Sequence, residues 1–204
     1  MKINKKKFIY LISPNKITQD FYVNLKKILR TNKISFFQLR LKQYSSKEKM
    51  LIGKKIKNIC KKNNVKFLIN DDPILALELN ADGCHLGQKD MKIKEARKII
   101  GKKIIGITCH NSIKLAKQAV KDGANYLAFG AFYSSKTKKT TNVATLEILK
   151  KVKKFTKTQI VAIGGINSNN YKNLLLNNVN FLAISGYIWK NKKYKPLEAV
   201  RKLK

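Results

Sequence analysis

A chain of 204 residues with 44% hydrophobic content is long enough for one domain with a complete core, short for two, and too apolar for a disordered polymer. Its formal charge of +34 points first to nucleic acid or an anionic surface. Only four of the 45 cations are arginine (Arg30, Arg40, Arg97, Arg201), however, and the lysines spread over almost every predicted helix. A solvating lysine bias is therefore the preferred reading, with weak, salt-sensitive nucleic-acid binding as the alternative. Cys60, Cys84 and Cys109 are odd in number, lack CxxC spacing and sit in or beside apolar runs, as reduced, buried thiols of a cytoplasmic protein do. The start, MKINKKKFIYLISP, has an apolar run too short for a signal peptide, and no run reaches the ~18 residues of a membrane span.

Short apolar strands alternate with amphipathic helices along the chain. FIYLI (Phe8 to Ile12) is the first strand, and Asp20 to Leu29 has helical spacing. ISFFQLRL (Ile34 to Leu41) is the second strand; Ser45 and Ser46 can cap a helix that runs up to Asn63-Asn64. Val65 to Asn70 is strand three, followed by a short helix, ILALEL, and Ala81 to Leu86 is strand four. Ile93 to Ile100 is a helix stopped by Gly101; Lys103 to Thr108 is strand five, and Ser112 caps a helix ending at Gly123. Asn125 to Gly130 is strand six, followed by a polar loop, Ser134 to Asn142. A helix over Thr145 to Phe155, strand seven (Gln159 to Gly164), a helix over Asn170 to Asn177, strand eight (Phe181 to Ser185) and a Pro-started helix from Pro196 complete the pattern.

Eight apolar strands joined by eight helices, with no composition break, predict a parallel sheet buried on both faces: one α/β domain over residues 1–204. An open doubly wound sheet gives the same alternation but concentrates its site at one switch point. Here seven of the eight strands finish in polar or glycine-rich chemistry, so a compact (β/α)₈ barrel, with its site at the C-terminal strand ends, is the expectation.

The acids sharpen that expectation. Five of the 11 (Asp71, Asp72, Glu78, Asp82, Asp90) fall between Asn70 and Asp90. Asp71 and Asp90 can converge on one divalent cation and leave positions for phosphate oxygens and water; the plain alternative is that they start or cap helices. Arg40 can grip a diphosphate bidentately. The SSKTKK loop, Gly164-Gly165 and Ser185-Gly186 suit phosphate on hydroxyls and backbone amides, or are simple turns. His85 and His110 each end a strand, as polar contacts or packed core residues.

QLRLK, INDD, ADGCHLGQKD, IIGITCHN, the SSKTKK loop, VAIGGI and LAISG follow one another in the order and spacing of thiamine phosphate synthases, a family this chain resembles over roughly residues 8–190. The resemblance implies a (β/α)₈ transferase that joins 4-amino-5-hydroxymethyl-2-methylpyrimidine diphosphate to a thiazole phosphate and releases diphosphate. It implies Mg²⁺ on Asp71 and Asp90, diphosphate on Arg40, Lys42, Asn70 and Lys138, and pyrimidine against Gln38 and Thr108 with His85 close by. Ser135, Lys136, Thr137, Gly165, Ile184 and Ser185 would hold the thiazole phosphate, and Arg40, Lys42 and Lys138 would assist catalysis. Four departures bear on the pocket shapes: Leu41 for the usual Glu, Thr108 for Ser, Thr140-Thr141 where an acid commonly follows the loop lysines, and no glycine in NVATLE. The partners implied are small phosphorylated molecules, with no membrane, nucleic acid disfavoured, and a homo-oligomer left open. Two rivals stand beside this reading: the related thiazole tautomerase, which uses a histidine where His110 lies, and a non-catalytic basic binding barrel.

Overall fold

The computed structural model describes residues 7–134 and 143–204. Eight parallel strands close into a barrel in chain order: β1 (Ile9–Ile12), β2 (Ile34–Leu39), β3 (Lys66–Asn70), β4 (Gly83–Leu86), β5 (Ile104–His110), β6 (Tyr126–Phe129), β7 (Gln159–Ile163) and β8 (Phe181–Ile184). The helices between them are α1 (Gln19–Leu29), α2 (Ser46–Lys62), α3 (Pro73–Glu78), α4 (Ile93–Ile100), α5 (Ile113–Lys121), α6 (Leu146–Lys153) and α7 (Tyr171–Leu176). After β8 come α8 (Gly186–Trp189) and α9 (Pro196–Arg201). The (β/α)₈ expectation holds.

Local chemistry sets the helix starts. Thr18, Ser45, Asp72 and Ser112 each accept a backbone N–H of the first turn, and Ser45 and Glu48 complete a reciprocal capping box on α2. Pro73 and Pro196 occupy first-turn positions, where a missing N–H costs nothing. Side chains of one parity along each strand point outward into a continuous apolar layer under the helices, which includes Leu11, Phe37, Phe67, Leu127 and Leu182. The other parity fills the barrel with Tyr10, Phe36, Leu68, Tyr126, Ala128, Val161 and Ala183. The three cysteines are free and buried, as expected. Among the described residues no helix is long and apolar enough to cross a membrane.

Three expectations need correction. Strand two ends at Leu39, so Arg40 and Lys42 stand in the loop just past it, while Leu41 between them is buried. Strand five continues to His110, across a register shift between Thr108 and His110 that ends with His110 at φ 53°. Nine helices, not eight, are found among the described residues. The extra one, α8, has only four residues, too few for a 3.6-residue period to show.

Candidate active site

The eleven acids can be placed one by one. Asp20, Glu48, Glu95, Glu147 and Glu198 lie in the first turns of helices and Asp72 caps α3, where the helix dipole favours negative charge. Asp82 sits at the bottom of the barrel, accepting from Phe67 N (2.8 Å) and Lys66 Nζ (2.9 Å). Asp122 pairs with Lys94 (3.7 Å), and Glu78 is exposed on α3. Only Asp71 and Asp90 remain, both at the C-terminal mouth. Asp90 does not cap α4, whose N-cap is Lys92; its Oδ2 instead accepts from Gly87 N at 2.7 Å.

Asp71 follows β3 in a left-handed conformation (φ 65°), pinned by a 2.8 Å bond from its N–H to the His85 carbonyl. Burial, and then the nearby Asp90 carboxylate, hold its carboxyl above the usual range, while Lys42, 3.5 Å away, opposes the shift. Two hard-oxygen donors brought together against their own repulsion suit a divalent cation. The chemistry of the pair fits Mg²⁺, which binds through one or two carboxylates and keeps its other positions for phosphate oxygens and water. A groove of about 480 Å³ opens beside Asp71, lined in part by Lys42, Lys49, Asn70 and Met91.

The four arginines separate in the same way. Arg30 and Arg201 stand at the ends of α1 and α9. Arg97 is a bottom-face clamp: its guanidinium donates to the carbonyls of Gly101, Lys103 and Gly123 and to Asn125 Oδ1. Arg40 alone lies at the mouth, its backbone held by Ser13 (N to Oγ, 2.9 Å), and among the described residues its guanidinium has no hydrogen-bond or ion-pair partner.

Inside the mouth, Gln38, Asn70, His85 and Thr108 occupy the inward parity of β2, β3, β4 and β5. Gln38 is 3% exposed and its Nε2 donates to Tyr10 Oη at 2.9 Å. The two ring nitrogens of His85 are taken by Tyr126 (2.8 Å) and Thr108 (2.9 Å). Burial pushes its pKa down to about 4, with Asp90 opposing and Arg40 adding to the shift. His85 therefore works as a neutral ring, reaching the mouth through Thr108.

Across the barrel, Phe132 N donates to Ile163 O and Tyr133 N to Gly164 O, which lays the segment after β6 onto the Gly164-Gly165 turn. Gly165 has φ 61°, and a Cβ there would run into the carbonyls of Tyr133 and Ser134. Ser185 Oγ donates to Ser13 O at 3.2 Å, and Trp189 Nε1 on α8 donates to Ile12 O at 2.7 Å, tying β8 to β1. The Ile184 side chain is buried in the outer layer, so only its backbone reaches the mouth. Ser135, Lys136, Thr137 and Lys138 lie outside the described residues.

A family model described as thiamine monophosphate synthase matches residues 9–188. The chain belongs to that family. It is 67% identical to a thiamine-phosphate synthase of Pelagibacter ubique over the whole of both chains. It is 39% identical to one of Erythrobacter litoralis, covering 89% of this chain and 87% of the other. Among solved structures, a thiamine phosphate pyrophosphorylase from Pyrococcus furiosus superposes with a TM-score of 0.86 at 28% identity, covering 99% of this chain and 96% of that one.

Within this thiamine monophosphate synthase frame, sequence reasoning missed Tyr10, Tyr126 and Ser13. The tyrosines stand in FIYLI and NYLAFG, where they pass for core residues. Parity gives no signal either, since on their own strands they share the inward face with the apolar Ile12 and Ala128. Ser13, 2% exposed, gave none.

Proposed function

We propose that this chain is a thiamine phosphate synthase that transfers the pyrimidine methyl group from its diphosphate to the nitrogen of a thiazole phosphate. The observation that carries the reading is the pairing of the two mouth carboxylates, Asp71 and Asp90, with Lys42 beside Asp71, in a chain whose other acids are accounted for by its fold.

The C–O bond to diphosphate breaks with its electron pair leaving on oxygen, and the thiazole nitrogen then forms the new C–N bond to the methylene carbon. No protein base is required for either event. Asp71 and Asp90 would hold Mg²⁺, which would neutralise charge on the leaving diphosphate when bound. Arg40 offers a forked donor to the same oxygens, Lys42 a mobile ammonium, and Asn70 an amide; Lys138 is assigned there by family position. The inward-facing Gln38 and Thr108 hold the pyrimidine, while the apolar barrel beneath limits water. Backbone groups at Gly165 and Ile184-Ser185, with Ser135, Lys136 and Thr137, would receive the thiazole phosphate. The free, buried thiols fit a cytoplasmic setting.

Given both substrates and Mg²⁺, the purified protein should release diphosphate, and Asp71→Asn or Asp90→Asn should lower turnover by about a hundredfold or more. Undiminished turnover in either variant, or in EDTA, would remove the metal assignment. EDTA-insensitive isomerisation of the thiazole carboxylate phosphate that depends on His110 would favour the tautomerase instead.

A further inference from the structure

Gln38, Tyr10, Tyr126, His85 and Thr108 come from five strands and form one unbroken hydrogen-bonded chain across the barrel. Its four links measure 2.9, 2.8, 2.8 and 2.9 Å. The ends of this chain, Gln38 and Thr108, are the two residues that the proposed function places on the pyrimidine. Its middle is buried: Tyr10 and Tyr126 are each 1% exposed. The Tyr126 ring has space only because Gly106, its neighbour across β5 and β6, lacks a Cβ that would strike it.

An amide nitrogen can only donate, so the contact from Gln38 Nε2 gives the chain a direction. Tyr10 accepts from Gln38 and sends its single proton to Tyr126. Tyr126 in turn sends its own to His85 Nδ1, which must be bare. A neutral imidazole with a bare Nδ1 carries its proton on Nε2, and that proton goes to Thr108 Oγ1. The Thr108 hydroxyl then accepts from inside and has its own proton left for the mouth. At the other end, Gln38 keeps Oε1 and a second N–H, an acceptor beside a donor. An aminopyrimidine edge presents the complement of that pair, a donor amino group beside an acceptor ring nitrogen, and its second ring nitrogen accepts from Thr108.

We infer that Tyr10 and Tyr126 are positioning residues: Tyr10 holds the Gln38 amide with its nitrogen inward, so that Gln38 selects an aminopyrimidine over its oxo analogue, and Tyr126 holds His85 as the Nε2-protonated tautomer, so that Thr108 donates to the second ring nitrogen. The inference rests on the synthase reading for its substrate, but the tautomer is a property of the protein alone. An oxopyrimidine carries a carbonyl and a ring N–H in place of the amino group and ring acceptor, so at Gln38 its carbonyl meets Oε1 and its N–H meets the amide N–H, while its second ring nitrogen still accepts from Thr108. Without the Tyr126 hydroxyl, His85 can move its proton to Nδ1. Tyr10, left without its acceptor, can then turn its proton to a flipped Gln38 carbonyl, which relaxes the selection.

The test is nitrogen-15 NMR of histidine-labelled protein, in which only His85 and His110 contribute, with His110→Gln for assignment. The expected His85 signals are a pyridine-type Nδ1 and a pyrrole-type Nε2, with Tyr126→Phe shifting them toward a tautomer mixture. Wild-type His85 carrying its proton on Nδ1 would overturn the inference. In kinetics, Tyr126→Phe and Tyr10→Phe should cut the kcat/KM preference for the amino over the oxo pyrimidine diphosphate by about tenfold or more, with KM for the thiazole phosphate unchanged. An unchanged preference in both variants would also overturn it. Should Tyr126→Phe fail to fold, Tyr10→Phe carries the kinetic test and wild-type NMR the tautomer test; an unchanged preference in Tyr10→Phe would then count against the inference. A wild type that releases no diphosphate sinks the synthase reading and leaves the NMR result standing.

Discussion

A left-handed backbone at Asp71 costs about 1 kcal/mol, and a carboxyl held above its usual range by burial and by Asp90 adds to the cost. Between the ordinary carboxylate pKa and this raised one the folded chain binds more protons than the unfolded chain. Stability therefore falls as pH climbs through that window, and the loss is complete once pH stands above the raised value. Asn tolerates the same backbone without the charge. In metal-free buffer Asp71→Asn should melt above wild type at pH 7, with the gap closing near pH 4. Mg²⁺ should raise the melting temperature of wild type and not of the variant. Differential scanning calorimetry at the two pH values checks both, and a variant that melts lower throughout would mean that the Lys42 contact outweighs the repulsion. His85 has the opposite character: with its pKa pushed down to about 4, the unfolded chain takes up its proton first, so this group favours unfolding as pH drops below about 6.5. Asp71 and Asp90 were legible before any coordinates because carboxylates are so scarce. The strained φ at Asp71 was not, since it follows from a bond to His85 O, 14 residues along the chain.

At the scale of elements, the eight strands were readable because each is buried on both faces and so nearly all apolar, and the helices because caps such as Ser45 and Ser112 announce them. What escaped was short or set by tertiary contacts: α8, the continuation of β5 past its bulge, and the seating of the segment after β6 on the β7 turn. That seating yields a prediction. Gly165 combines φ 61° with carbonyls of Tyr133 and Ser134 where a Cβ would go. Gly165→Ala should destabilise the fold by about 1–3 kcal/mol. If this turn receives the thiazole phosphate, KM for that substrate should rise while KM for the pyrimidine diphosphate holds. Chemical denaturation and two-substrate kinetics read the two effects separately, and an equal rise in both KM values would detach the turn from the thiazole subsite.

Over the whole molecule the dominant electrostatic fact is a charge of +34, against which only four ion pairs form among the described residues. All four involve lysines more than half exposed, and exposed pairs contribute about 0–1 kcal/mol each. Repulsion among the remaining cations acts in the folded state more than in the expanded chain, so screening should stabilise the fold. The melting temperature should therefore rise with added KCl, most steeply up to about 0.15 M, where the screening length has already fallen to ~8 Å. Diphosphate at equal ionic strength should raise it further in wild type, and less so in Arg40→Ala, if the mouth binds this anion as a site and not as a diffuse counter-ion. Thermal melts across a salt series in a weakly coordinating buffer make the measurement. A melting temperature that falls with salt would show that the few ion pairs outweigh the repulsion, and that the lysine excess is a structural asset and not simply a solvating surface.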